Sequence, residues 1–241
     1  MSTHTLRSRR LAASALAAAA DWLVEPAEAV EGAASGLAPP RARSVIVVVG
    51  LSVRCGATTV ARALGAQLAS RDPDGACAVT SAIPCGAMPL GLPAAARLTR
   101  ALSPLVRGTA RACGRLCLIE GIDPAAAVAS VAYLAPLVID VDARAEASGA
   151  AAIADHVVLV GSPCTEPALA ALVGQSLQRV GPAPVTVLNR AGAGGGSWAD
   201  RGAMELPESR MGARFALAGR EPRGGFGEAV EELTDRCQDV R

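Results

Sequence analysis

The 241-residue sequence contains no lysine: all 23 basic residues are arginine, against 22 acidic residues and a net charge of +1. A site that needs a primary ammonium must do without one, and the balanced charge offers no strongly basic surface for nucleic acid. Aromatic residues are nearly as scarce, at 2% of the chain, which removes stacking platforms for bases or sugars. The 2 histidines and 7 cysteines include no C-x-x-C pair, so Cys113 and Cys117, four apart, have few further ligands to recruit for zinc. Odd in number and set in apolar surroundings, the cysteines read as buried, reduced thiols of a cytoplasmic protein. No apolar run reaches the ~20 residues that span a bilayer.

What is present is 51% hydrophobic and 19% charged, a composition suited to one principal α/β domain. Residues 1–43 stand apart as a helical N-terminal extension and linker: Arg7, Arg9 and Arg10 precede an alanine-rich stretch that ends at Pro39-Pro40. Ser8-Arg9-Arg10-Leu11 superficially resembles a twin-arginine export signal, but the apolar part that follows is short and interrupted by Asp21. The extension is expected to dock Trp22, Leu23 and Val30 on the main domain or a partner. It is also the better candidate for attachment to a membrane, because the chain ends in the acidic GEAVEELTDRCQDVR.

From residue 44 to 241 short apolar runs alternate with helical segments, the pattern of βαβ units and a mostly parallel sheet. Strands are predicted at 45–49, 76–81, 115–120, 137–141, 156–160, 185–189 and 203–206, with helices between them. Runs such as VIVVV and HVVLV are apolar on both faces, as a sheet covered on both sides requires. The expected fold is therefore a three-layer α/β/α sandwich with a mostly parallel sheet of about seven strands. Ligands belong at the carboxyl ends of such strands. Gly192–Gly196 reads as a flexible connector with no helix opening directly after it.

Ser44 to Leu64, SVIVVVGLSVRCGATTVARAL, reads as strand, loop and helix. Gly50 at the turn and Gly56-x-Thr58-Thr59 at the helix start have the layout of a phosphate-binding P-loop, where backbone N–H groups and the helix dipole receive an anion. Ala57 stands where the lysine would be. Val53, Arg54 and Cys55 stand where small residues usually let the backbone curl, and side chains with a Cβ resist positive-φ turns.

Four stations in this order resemble the MinD/ParA group of P-loop ATPases with a deviant Walker A motif. They are Gly50–Thr59; PLVIDVDARAEASGAAAIADHVVLV; Val160-Gly161-Ser162-Pro163 with its helix; and VTVLNR with the later Glu205–Arg210. The resemblance implies ATP and Mg2+ as ligands. Gly50, Gly56 and Thr59 would belong to the phosphate loop, with Thr58 and Asp140 holding the metal. Asp140 would also be the catalytic carboxylate positioning the attacking water, and Asn189 would read adenine. Phosphoryl transfer relies on cationic charge around the phosphates, and both family lysines are absent, one replaced by Ala57 and the other falling at Leu51 or Ser52.

The expected protein is a non-hydrolysing, MinD/ParA-like scaffold or localisation factor with protein partners, dimerising across the loop face. The alternative is an active or nucleotide-sensing ATPase that uses Arg54 and Asp140. Each residue has a plainer reading too. Arg54 would be a solvated loop residue, Thr58 and Thr59 helix N-caps, Asp140 and Asp142 a cap or partners of Arg144, and Asn189 a turn residue. Glu120 and Asp123 read as a solvated loop. Arg210, Arg214, Arg220 and Arg223 are interleaved with Glu205, Glu208 and Glu221, which makes a solvated face of them and argues against nucleic acid as a partner.

Overall fold

β1 (Val45–Gly50) is buried at every position and organises the sheet. Val45, Val47 and Val49 join one apolar cluster while Ile46 and Val48 join the other, so the strand feeds both layers by simple alternation. In the computed structural model, residues 43–81, 90–106, 108–142, 145–192 and 196–238 are described. Most of the N-terminal extension, Cys85 and Arg144 lie outside the described residues.

After β1 the chain runs through α1 (Ala57–Arg71), β2 (Cys77–Ser81), α2 (Pro93–Leu102), β3 (Thr109–Cys113), β4 (Leu116–Glu120) and α3 (Pro124–Val131). It continues through β5 (Leu137–Asp142), α4 (Ala145–Ala152), β6 (His156–Gly161), α5 (Pro167–Leu177), β7 (Val185–Ala191) and α6 (Gly196–Ala199). It closes with β8 (Met204–Pro207), α7 (Arg210–Leu217) and α8 (Gly224–Arg236). The strand order is β3-β4-β2-β5-β1-β6-β7-β8, parallel except for β3 against β4. α2 to α5 cover one face, whereas α1, α7 and α8 cover the other. This is the expected three-layer arrangement, with eight strands rather than about seven.

The additional strand, β3, is the antiparallel edge. Its sequence TARAC exposes alternate residues to solvent, so it carries none of the doubly apolar signal of the central strands. Cys113 and Cys117, on β3 and β4, fall in different apolar clusters on opposite sheet faces and cannot share one ion. Among the described cysteines, five are buried and Cys164 is exposed, which corrects the expectation that all are buried. Burial pushes the Cys237 thiol up to about 12 and raises Cys77 and Cys117 as well, leaving these thiols protonated and inert at neutral pH. The connector after Gly192 also differs from expectation. A single helical turn opens there, and its Trp198 packs tightly on Gly161, where an added Cβ would lie 2.3 Å from the indole.

α1 lies close on the sheet because Gly65 faces it: an added Cβ would sit 2.7 Å from Val79 Cγ2 and 3.1 Å from Leu116 Cδ2. Its far end is tied to α8 by Arg71, which pairs with Asp235 at 2.5 Å and Glu231 at 3.6 Å. The apolar stripe of α8, Phe226, Val230 and Leu233, is spent in the core and offers no amphipathic face to a bilayer. Among the described residues no helix is long and apolar enough to cross a membrane.

Gly65→Ala sets helix propensity, which favours alanine by about 1 kcal/mol, against overpacking, which costs roughly 1–3 kcal/mol. At 2.7 Å the clash is expected to win. Thermal denaturation should show a midpoint lowered by about 2–4 °C per kcal/mol lost. An unchanged or raised midpoint would mean that the helix can lift from the sheet at little cost.

Candidate functional site

The loop between β1 and α1 emerges at the carboxyl end of the central strand. Here β1 leads through α1 to β2 on one side while β6 lies on the other, the switch point at which open α/β sheets bind ligands. Leu51 N–H donates to the Val160 carbonyl at 3.0 Å, extending the β1–β6 pairing by one bond. Two left-handed residues then turn the chain: Arg54 at φ 62° and Gly56 at φ 89°, the latter being the N-cap of α1. Gly56 has a second constraint, because an added Cβ would lie 2.1 Å from Asn189 Nδ2.

Each of the other three sequence stations reaches this loop. From the turn after β6, Thr165 Oγ1 meets Ser52 Oγ at 2.6 Å and accepts from the Ser162 N–H at 3.0 Å. From the end of β7, Asn189 Nδ2 donates to the Cys55 carbonyl at 2.9 Å, and the Arg190 guanidinium donates to the Arg54 carbonyl. From β5, Asp140 accepts from Thr58 Oγ1 at 2.7 Å. Stretches far apart in sequence thus hold one short loop.

These contacts revise several plain readings. Thr58 and Thr59 do not cap α1 with their side chains, because Gly56 is the N-cap and no side-chain cap bond forms. Asn189 is 5% exposed and does more than end a strand: its amide N–H₂ fastens the loop. Asp123 is no bystander in a solvated loop but the N-cap of α3, accepting from Ala125 and Ala126 at 3.0 and 3.2 Å. Asp142 is exposed at the end of β5.

Asp140 is 8% exposed and its carboxyl is raised above the ordinary range, chiefly by burial. Hydrogen bonds from Thr58 and Ser81 and the charge of Arg62 pull it back, while Asp142 raises it further. Arg62 is 5% exposed and lies one helical turn beyond Thr58 on the same face of α1, with a guanidinium nitrogen 3.5 Å from the Leu217 carbonyl. It was missed in the sequence, although a charged residue on the inward face of TTVARALGAQLASR is a legible signal.

Two cavities flank the loop and share Arg54 and Gly56. The first, about 360 Å³, lies over Gly50–Thr58 and is bounded by Asp140, Val141 and Asp142. Two carboxylates face it with Arg54 as the only cationic side chain in its lining, and Ala57 leaves the expected lysine position short and neutral. The second, about 320 Å³, lies toward α7 and α8 and is lined by Thr59, Asn189, Arg190 and Arg210 among others. Every sequence-predicted site residue lines one or both cavities: Gly50, Ala57, Thr58 and Asp140 the first, Thr59 and Asn189 the second, and Arg54 and Gly56 both.

For magnesium the donor chemistry fits, since a threonine hydroxyl and a carboxylate converge at bonding distance and Mg2+ commonly takes its remaining ligands from water and phosphate. Among the described residues there is no group of three or more His, Cys, Asp or Glu that would hold a metal unaided. For a triphosphate the charge does not fit, because the first cavity presents more negative than positive side chains.

Because the folded-state carboxyl of Asp140 is raised, the folded chain holds this proton more tightly than the unfolded one. Its ionisation therefore subtracts stability as pH rises from the usual ~3.9 through the raised value. Asp140→Asn should melt higher than wild type at pH 7, with the gap shrinking as pH falls toward 4. A midpoint lowered at pH 7 would show that pairing with Arg62 and Thr58 outweighs burial.

No protein-family model matches the chain, and no curated protein sequence matches it. Solved structures do match. A ParA family ATPase from Chlorobium tepidum TLS is 14% identical, with 80% of this chain and 98% of that one covered at a TM-score of 0.56. MinD in the MinC:MinD cell division complex of Aquifex aeolicus is 17% identical, with 82% and 97% covered and a TM-score of 0.54. Cobyrinic acid a,c-diamide synthase from Mycobacterium smegmatis, with bound ATP analogue and magnesium, is 16% identical, with 80% and 93% covered and a TM-score of 0.52. The strand order, the loop at the end of β1 and these matches agree: the chain has the P-loop fold of the ParA and MinD ATPases.

Proposed function

We propose that this protein is a MinD/ParA-like scaffold or localisation factor that does not hydrolyse ATP. The observation that carries this reading is the charge of the cavity over the loop. Asp140 and Asp142 face it, Arg54 is its one cation, and Ala57 occupies the lysine position in a chain without lysine. Catalysis of phosphoryl transfer is mostly positioned positive charge. A cavity lined this way repels a triphosphate where the fold would have to hold it. The backbone, by contrast, offers a left-handed glycine, Gly56, at the start of α1.

The fold alone does not choose a chemistry, since it also serves a diamide synthase with bound ATP analogue and magnesium. Support for protein partners comes from MinD, which is crystallised in complex with MinC. A homodimer through the loop face and a cytoplasmic setting belong to the same proposal. A second reading, a nucleotide-sensing or slowly active ATPase, draws on one observation: Thr58 and Asp140 remain in direct contact at 2.7 Å, as a pair that would hold magnesium and orient water.

Calorimetric titration with ATP and Mg2+, paired with a phosphate-release assay, separates the readings. The scaffold should show no turnover and no binding of ATP that depends on Mg2+. Binding without release would favour the sensor, and release the enzyme. Ala57→Lys should then gain nucleotide affinity, because a charged hydrogen bond contributes about 1.5–3 kcal/mol, or ten- to a hundredfold. If affinity stays undetectable, the loop and not the missing side chain excludes nucleotide.

A further inference from the structure

The second cavity has the charge that the first one lacks. Arg54, Arg190 and Arg210 line it against the single carboxylate of Glu208. Among the described residues none of these arginines is in an ion pair, whereas Arg43, Arg71, Arg115 and Arg236 all are. Arg54 and Arg190 are moreover the two non-glycine residues with positive φ among those described, at 62° and 61°, and the Arg190 guanidinium binds the Arg54 carbonyl. The Arg190 guanidinium thus lies against the backbone of Arg54, and both residues hold a conformation that persists only where the surroundings over-determine it.

The remaining lining completes a small site. Thr59 and Ser209 contribute hydroxyls, Phe226 and Ala213 an apolar wall, and Asn189 a buried amide. Ser209 Oγ already accepts from the Gly212 N–H at 2.9 Å, which leaves its proton to donate. Three guanidiniums less one carboxylate give a charge near +2. A phosphate monoester carries about −1.5 to −2 at neutral pH and matches it, whereas a carboxylate brings only half as much. Three planar forks also suit the several oxygens of a phosphate. A volume of about 320 Å³ admits the phosphate and a small organic group.

We propose that this cavity binds a small, soluble phosphate-bearing metabolite, its phosphate held by Arg54, Arg190 and Arg210 without magnesium. The anion then sits on the α7 side of the loop, away from the Thr58–Asp140 pair. Occupancy would join the loop, the end of β7 and the start of α7 through one ligand, so a scaffold so built reports a metabolite without turning it over.

The test is calorimetry of the full chain with inorganic phosphate and with pyrophosphate, in EDTA and in phosphate-free buffer. Saturable binding is expected. Arg210→Glu should weaken it by about tenfold or more, since a positioned charge is reversed, and Thr58→Ala should leave it unchanged. Arg210 is exposed at the first position of α7, where glutamate favours the helix, and an unaltered melting curve checks the fold. Arg210→Gln serves if that curve shifts. No saturable phosphate binding overturns the proposal. So does binding that requires Mg2+ and is lost in Thr58→Ala, which would place the anion over the loop, or binding to a short DNA duplex or to phosphatidylglycerol vesicles with none to either phosphate probe. The scaffold reading stands or falls separately, on ATP turnover.

Discussion

The backbone carbonyls of Arg54 and Cys55 bear the constraint on which the site depends. A left-handed residue other than glycine costs on the order of 1–2 kcal/mol, and the loop holds Arg54 in that conformation only because neighbours compensate. Asn189 and Arg190 do so from the end of β7, each donating to one of the two carbonyls. Ser52 is held from the other side by Thr165, and Thr58 from below by Asp140. The curl of the loop is therefore held by contacts from three other stretches of the chain.

The shape of the loop and the charge of the cavity over it are set by different residues. The N-cap glycine and the threonine–carboxylate pair stand at the loop, while one arginine lines the cavity over it and three line the cavity beside it. Arg62, buried on α1, is not in the lining of that first cavity, although its charge acts on Asp140, which is. Shape and charge are here separable properties of one motif.

Most of the architecture was legible because central strands of a doubly covered sheet are apolar on both faces, as VIVVV and HVVLV are. The antiparallel edge was not, since half-exposed TARAC reads like a loop and owes its strand to pairing with β4. Of the site, Gly56, Thr58 and Asp140 were readable from motif order. The work of Asn189 was not: its partner, Cys55, is 134 residues away, and neither strand-end composition nor turn chemistry encodes that bond. The pairing of Arg190 with Arg54 escaped for the same reason, and with it the cationic cavity.

The two margins of the sheet also differ from its centre. At one margin β3 runs antiparallel, and beyond it Gly91 bridges Gly114, occupying part of the free edge. At the other, β8 has 4 residues and ends in Pro207, which has no N–H to offer. Among the described residues neither rim presents a long, unbroken edge to a further strand. A contact between copies through the described residues would therefore fall to helices and loop tips, surfaces that can be engaged and released without disturbing the sheet beneath.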